Sequence, residues 1–344
     1  MRSGQKTNKY KGVVFLRSFH RENIGQSLRD IFKQKDLLFL LVSCSSIYAV
    51  PLAVLYFVWQ YLRQIHLKDF HNPKGQLVYP YFFLGVNALI SSIYSLNLVS
   101  IGVTVGIVIP FLIYAIYVEN RLEPELCVSM LRLLVYLSLP AALVSYFQKL
   151  FIPLQEDRVI STFANANLYA YFLMAVLLVT LGLYMDKPPK RERRWYLVIS
   201  AANLFALYLT QSRAVLLALA VSVLFLLLLR RRFQQALFLF VLCAIFLIAV
   251  IIYPQLLRFI PRYEILDANM NRRAEIWGIA WDAIRTNPLI GRGILSYKYY
   301  AIQYNLIKTH AHNTLLNTWV EWGLAGVGLL LWASIIIFRR GLWG

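Results

Sequence analysis

Residues 193–232 have the sequence RRWYLVISAANLFALYLTQSRAVLLALAVSVLFLLLLRRR, and this stretch decides the fold. Its 35 residues from 195 to 229 are mostly apolar and lie between two basic clusters. As one helix they would extend about 52 Å, much longer than the roughly 30 Å hydrocarbon core of a bilayer. Basic loops mark the cytoplasmic side of a membrane, so both ends are predicted to be cytoplasmic. The segment is therefore expected to form a helical hairpin with its tip at Ser212 and Arg213, on the outer side.

The rest of the chain is equally apolar. Of its 344 residues, 59% are hydrophobic and 15% charged, whereas a soluble domain carries roughly 25% charged residues. Further apolar runs long enough to span a membrane occur at 77–95, 97–118, 126–147, 168–185, 235–253 and 313–338. The sequence predicts an all-α fold, a polytopic transmembrane helical bundle of about 9–10 spans.

Charge patterning divides this bundle into segments. Residues 1–36 form a basic tail or amphipathic segment without the apolar core of a signal peptide, and we expect them to be cytoplasmic. The transmembrane bundle follows at 37–253, an external loop containing short helices at 254–312, and the last span with a short cytoplasmic end at 313–344. Residues 37–62 are predicted to form a short hairpin broken near Pro51, although an external N-terminus would also satisfy the charge pattern.

The composition also argues against several classes of protein. The net charge of +19 would suggest nucleic acid in a soluble protein, but between spans it indicates cytoplasmic loops and contact with membrane lipids, so no nucleic-acid partner is expected. Cys44, Cys127 and Cys243 lie in or beside apolar runs, without metal or disulfide spacing. The chain has no Asp-x-Asp pair, no P-loop and no His/Cys cluster. We therefore predict no metal site and no cofactor.

The external loop carries eight basic and four acidic residues. An ordinary soluble insert is one explanation; the other is a site for an anion such as phosphate, which the planar arginine fork binds bidentately. A helix is predicted at 271–287, with Arg273, Trp277 and Trp281 on one face, at the depth of lipid headgroups. The glycine-containing turn at 288–293 is only a weak phosphate-binding signal, since it does not open directly into a helix.

Polar residues cluster where the last span begins. His310 and His312 border the membrane close to the arginines; an external histidine is often solvated and inert, but an imidazole there could act as a general base. Asn313, Asn317 and Glu321 then recur on one face of an otherwise apolar helix. An intramembrane carboxylate is costly, so Glu321 either serves function or holds neighbouring helices together through hydrogen bonds.

These segments resemble the O-antigen ligase and O-antigen polymerase superfamily between about residues 162 and 328. The resemblance is carried by Thr162-Phe-Ala-Asn165-Ala-Asn167, Thr210-Gln-Ser212-Arg213, Arg273-Ala-Glu-Ile-Trp277, Asn287-Pro-Leu-Ile-Gly-Arg-Gly293, and His312-Asn313 followed by Glu321-Trp-Gly323. It implies a metal-independent glycosyltransferase in the cytoplasmic (inner) membrane, acting at its outer face. The implied donor is a glycan linked to undecaprenyl pyrophosphate, and the acceptor is the lipid A core of lipopolysaccharide in ligases or a lipid-linked glycan in polymerases.

The resemblance also implies roles for individual residues. Arg213 and Arg273 match the pyrophosphate-contacting arginines, with Arg272 as an adjacent alternative. His312 matches the histidine that deprotonates the acceptor hydroxyl, with His310 as the alternative, and Asn165, Asn167, Arg292, Asn313 and Glu321 are possible supporting residues. Family members usually continue for further spans beyond the point where this sequence stops. A transporter of lipid-linked oligosaccharide or of a small anion, and an inert assembly partner, are the alternatives from other classes.

Overall fold

A computed structural model describes residues 76–121, 124–154, 157–259, 266–306 and 308–343, together with isolated helical positions at 52, 54–56, 59 and 63. This part of the chain is helical and contains no strand, which confirms the predicted all-α class. The predicted tail at 1–36 lies outside the described residues, as does most of the predicted hairpin at 37–62. The chain divides into two compact units, of which unit 1 comprises Met1–Ala53 and Glu123–Tyr263, and unit 2 Val54–Leu122 and Glu264–Gly344.

Unit 1 contains five long helices among its described residues. In chain order they are α4 (Pro124–Phe151), α5 (Ala166–Met185), α6 (Lys190–Leu209), α7 (Arg213–Leu229) and α8 (Phe233–Ile252), followed by a 3-10 turn at Pro254–Phe259. Tyr169 and Leu173 of α5, Leu207 of α6 and Val215 of α7 are at most 1% exposed and form the core. Apolar side chains that recur at helical spacing thus pack α5, α6 and α7 against one another.

Unit 2 is built from segments distant in sequence. Its helices are α1 (Val78–Tyr94), α2 (Leu98–Val103), α3 (Ile109–Arg121), α9 (Leu266–Thr286), α10 (Ser296–Ile302) and α11 (Thr314–Trp343), and the π-helical turn Thr104–Val108 links α2 to α3. A core of Ile276 and Ala280 from α9, Tyr297 from α10 and Val320 from α11 holds the loop helices against the last helix.

The helices have the length and surface of membrane spans. Within the described part of the chain, five helical segments are long and apolar enough to cross a bilayer, at Leu98–Ile116, Val128–Phe151, Ala166–Met185, Phe233–Ile252 and Thr314–Arg340, and α1 and α7 are shorter apolar helices. On α8, Phe238 and Ile251 are each 70% exposed. Because extended apolar surface of this kind is stable in lipid rather than water, the protein is a multi-pass membrane protein.

Two features of the predicted spans can be compared directly with the helices. The hairpin break predicted at Ser212 is confirmed, since α6 ends at Leu209 and α7 begins at Arg213. The last span predicted over 313–338 is also present, as α11. Gly323, at φ +67° and ψ −173°, interrupts α11 with a kink that the apolar pattern does not reveal.

Candidate functional site

The hairpin tip between α6 and α7 presents Arg213 as the first residue of α7. Gln211 adopts the left-handed conformation at φ +53°, which reverses the chain sharply. Ser212 donates its hydroxyl to Oδ1 of Asn167 at 3.2 Å, and its backbone N–H donates to Oγ1 of Thr210 at 3.3 Å. The tip is therefore fixed by the start of α5, and Arg213 is half-buried beside it.

Arg158 is a contact residue that the sequence analysis missed. Its Nε donates to the carbonyl oxygen of Thr210 at 2.8 Å, and one terminal nitrogen donates to Oδ1 of Asn167 at 2.6 Å. One guanidinium thus connects the hairpin tip to the start of α5. The sequence offers only a weak signal for this role, a lone arginine four residues before the Thr162 motif, because the contact spans 52 residues.

The two asparagines of that motif have different roles. Asn165 is the N-cap of α5, where its Oδ1 accepts a hydrogen bond from Leu168 N at 2.9 Å. Asn167 accepts from both Arg158 and Ser212, and so belongs to the tip. Of the two, Asn167 is the one that positions the segment carrying Arg213.

In unit 2, Arg272 and Arg273 lie on α9 with exposed side chains. Ile276, Ala280 and Ile284 follow at intervals of four residues and are buried against α10 and α11. This apolar face fixes the helix, so that its N-terminal half presents the two arginines to the surface. The predicted helix at 271–287 is therefore present and begins earlier, at Leu266.

The segment 308–313 places the histidines near those arginines. Ala311 is fully buried, and its N–H donates to Oδ1 of Asn317 at 3.1 Å. His310 and His312 flank it and are exposed, with ring centroids 4.3 Å apart. Asn313 accepts from Leu316 N at 3.2 Å and so begins α11. His312 itself has φ +51°, an uncommon conformation that a protein retains where the surroundings impose it.

The electrostatic surroundings of His312 favour its neutral form. Although the residue is exposed, desolvation of its ring lowers its pKa below the usual 6.5, and the nearby His310, Lys308, Arg273 and Arg272 lower the pKa further. These causes show that the cationic side chains of α9 act on the imidazole even though about forty residues separate them in sequence. We call Arg272, Arg273, Lys308 and His312 the cationic cluster.

The glycine-containing turn docks into the kink of α11. The N–H groups of Arg292 and Gly293 donate to the carbonyl oxygens of Val320 and Glu321 at 2.9 and 2.8 Å. A Cβ on Gly291 would lie 2.4 Å from Gly323 N. Because these backbone donors are used within the protein, the turn is a packing junction and not the phosphate-binding loop that its glycines weakly suggested.

We call this contact between the turn at 288–293 and the kink of α11 the junction. Arg292 and Glu321 both belong to it. Arg292 donates Nε to Oγ1 of Thr286 at 3.1 Å, and its guanidinium lies 4.8 Å from the ring centroid of Tyr300. Glu321 is 7% exposed, and its Oε1 accepts from Leu295 N at 3.0 Å. The carboxylate therefore fixes the chain where α10 begins, which is the helix-holding alternative considered for it.

The structure thus groups the predicted residues into three places. Arg213 lies with Asn167 at the hairpin tip of unit 1, His312 with Arg272 and Arg273 in the cationic cluster of unit 2, and Arg292 with Glu321 at the junction. That Arg213 acts on the same pyrophosphate as Arg273 stays a prediction. Within the described residues, no group of three or more His, Cys, Asp or Glu side chains is arranged to hold a metal ion.

Comparison with known proteins supports the resemblance found in the sequence. A family model described as O-antigen ligase matches residues 195–332, which include Arg213, Arg273 and His312. Neither a curated protein nor a solved structure matches the chain. The family supports glycan transfer of the ligase or polymerase type in polysaccharide biosynthesis. Residues 195–332 are therefore similar to the O-antigen ligase family, and they belong to a multi-pass membrane protein.

Proposed function

We propose that the protein transfers a glycan from an undecaprenyl-pyrophosphate carrier to a sugar hydroxyl, at the outer face of the cytoplasmic membrane. The observation that carries the proposal is the cationic cluster. His312 lies within the field of two arginines and Lys308, next to the start of an apolar helix and inside the region that the O-antigen ligase family model matches. Guanidinium groups at the edge of a membrane suit a lipid-linked pyrophosphate, since they bind phosphate oxygens bidentately.

The transfer needs a base and a stabilised leaving group. His312 accepts the proton of the acceptor hydroxyl, whose oxygen then forms a bond to the anomeric carbon of the donor sugar. The bond between that carbon and the pyrophosphate oxygen breaks, and undecaprenyl pyrophosphate leaves with the electron pair. Arg273 and Arg272 stabilise the charge that develops on the leaving pyrophosphate. No step requires a metal ion or a cofactor.

The cationic cluster also explains how His312 is prepared for this role. Before the donor binds, desolvation and the positive charges together favour the neutral imidazole, which is able to accept a proton. A bound pyrophosphate offsets those charges and stabilises the imidazolium that forms during transfer. The donor thus increases the basicity of the residue that activates the acceptor.

Arg213 is proposed as a further pyrophosphate contact, as the resemblance implies. Its place at the start of α7 is fixed by the hydrogen bonds of Asn167, Ser212 and Arg158 around the hairpin tip. A side chain held at a fixed helix start can present its planar fork in one orientation, which a flexible loop would not do.

The test is transfer of a lipid-linked glycan by the purified protein. We expect His312→Ala to lower the rate by about 10²- to 10⁴-fold, the usual contribution of a general base, whereas His310→Ala retains most activity. Arg273→Lys, which keeps the charge but loses the fork, is expected to slow transfer, and Arg285→Lys on the same helix is the matched control. Full activity of His312→Ala would refute the assignment of the base.

The acceptor decides between ligation and polymerisation. Ligation attaches the glycan to the lipid A core, and polymerisation attaches it to another lipid-linked repeat. After deletion, loss of all long chains from the core would show ligation, whereas single repeats left on the core would show failed polymerisation. An unchanged envelope glycan profile would contradict both.

A further inference from the structure

A polar cleft of about 330 Å³ opens in unit 2 beside the junction. Tyr94 lines it from the end of α1, Asn97 from the connection to α2, Arg292 from the turn, and Tyr299 and Gln303 from α10 and its end. Its volume lies at the lower end of the range for ligand sites. We call it the tyrosine cleft; none of the roles described above uses it.

The side chains that line the cleft combine flat aromatic surfaces with planar hydrogen-bonding groups. Tyr94 and Tyr299 are 58% and 42% exposed, and Tyr300 adds a third ring that carries the guanidinium of Arg292. A sugar ring has an apolar C–H face that packs on an aromatic ring and hydroxyls that bond amides and guanidinium groups at its edge. The lining provides both kinds of contact.

Several hydrogen-bonding positions are available to a ligand. Asn97 uses its Oδ1 to cap α2, accepting from Val99 N and Ser100 N at 3.0 and 3.1 Å, which leaves its amide nitrogen as a donor. Ser296 also lines the cleft; it is 6% exposed, and its hydroxyl has no hydrogen-bond partner among the described residues. A buried polar group without a partner is costly, and a ligand hydroxyl is one way to satisfy it.

The tyrosine cleft carries less positive charge than the cationic cluster. Arg292 is its one charged lining residue, and that guanidinium is already held by Thr286 and Tyr300. A pyrophosphate needs several cations, as the cationic cluster supplies. The tyrosine cleft therefore suits an uncharged polar ligand with an apolar face.

The cleft is rigid because the junction supports it. Leu295 N donates to the Glu321 carboxylate, and Gly293 N donates to Ser91 Oγ at 2.8 Å. Tyr297 is fully buried, and its hydroxyl donates to the carbonyl oxygen of Ile276 at 3.1 Å. These contacts tie α10 to α9 and α11, so a ligand binds a surface that is already formed.

We propose that the tyrosine cleft binds a sugar ring of a glycan substrate, stacking it on tyrosine and holding its hydroxyls through Arg292, Asn97 and Gln303. This inference rests on the proposed function for the identity of that glycan, which is either the donor or the acceptor. It places sugar recognition apart from the pyrophosphate contacts of Arg272 and Arg273.

Binding of free disaccharides to the full-length protein in detergent tests the proposal without requiring activity. The probes are a panel of hexose and N-acetylhexosamine disaccharides observed by saturation-transfer NMR, with inorganic pyrophosphate as the anion. We expect at least one disaccharide to bind, and Tyr299→Ala to weaken it about ten-fold, while Tyr299→Phe keeps the stacking and stays within about two-fold. Ile302→Ala, an exposed substitution on the same helix outside the cleft, is the control for folding.

Three results would overturn the proposal: no disaccharide binds, Tyr299→Ala binds as wild type does, or Tyr299→Ala loses pyrophosphate instead. Transfer kinetics then identify the source of the sugar. A higher KM for the lipid-linked donor alone assigns the cleft to the donor glycan, and a higher KM for the acceptor alone assigns it to the acceptor. If transfer fails in wild type but disaccharide binding depends on Tyr299, the proposed function fails and the cleft assignment stands.

Discussion

Replacing Gly323 with alanine should destabilise the junction between the last helix and the external loop. Gly323 has φ +67° and ψ −173°, a conformation that is essentially restricted to glycine. A Cβ there would lie 2.1 Å from the carbonyl oxygen of Leu289 and 2.3 Å from its carbon. Neither atom is at the end of a flexible side chain, so the substitution must move backbone.

The size of the effect follows from what must change. Forcing an alanine into this conformation costs about 1–3 kcal/mol. Displacing the loop also breaks the hydrogen bonds from Gly293 N to Glu321 O and from Leu324 N to Pro288 O, at 2.8 and 2.9 Å, each worth about 1 kcal/mol net. The free energy cost is therefore about 3–5 kcal/mol, which corresponds to a fall in Tm of about 10 °C for a unit of this size.

Thermal unfolding in detergent, followed by tryptophan fluorescence, measures this cost. Gly328→Ala is the matched control, because it lies on the same helix and a Cβ there meets nothing within 4 Å. Alanine is also the better helix former by about 1 kcal/mol. We expect Gly323→Ala to melt well below wild type, and Gly328→Ala to melt at or above it. Equal Tm values for the two variants would refute the close packing of the Leu289 backbone against Gly323.

Four further predictions concern the site. Because the pKa of His312 is lowered, the acid limb of the kcat/KM profile, where protonation removes the base, should have its midpoint below pH 6.5; a midpoint above pH 6.5 would contradict this. Arg158→Ala should lower transfer about ten-fold or more by releasing the hairpin tip, whereas Arg191→Ala, at an exposed position in the first turn of α6, should not, as steady-state rates will show. Glu321→Gln should keep the wild-type Tm because its amide oxygen still accepts from Leu295 N, while Glu321→Leu should lower Tm by several degrees; equal values would exclude this role. Transfer should continue at an unchanged rate in excess EDTA, and loss that Mg²⁺ or Mn²⁺ restores would disprove metal independence.

The sequence was sufficient to predict most of the described helices and the break at the hairpin tip, but not the kink at Gly323. The hairpin tip at Ser212 followed from the length of one apolar run between two basic clusters, and the start of the last helix at about 313 from the end of the polar loop. Both depend on neighbouring residues, because hydrophobicity and basic flanks act locally along a helix. The motifs around Arg213 and His312 likewise lie within short segments, inside the region that the O-antigen ligase family model matches.

Only the tertiary structure showed which contacts these segments make with one another. The turn at 288–293 has glycines that suggested a phosphate site, but its backbone N–H groups are used by Val320 and Glu321 across the kink at Gly323. The bridge from Arg158 to the hairpin tip spans 52 residues, and Arg272 and Arg273 on another helix add to the desolvation and the local charges that lower the pKa of His312. Helical periodicity shows which face of a helix is apolar. It does not show which distant backbone or charge packs against that face, because packing depends on the whole fold.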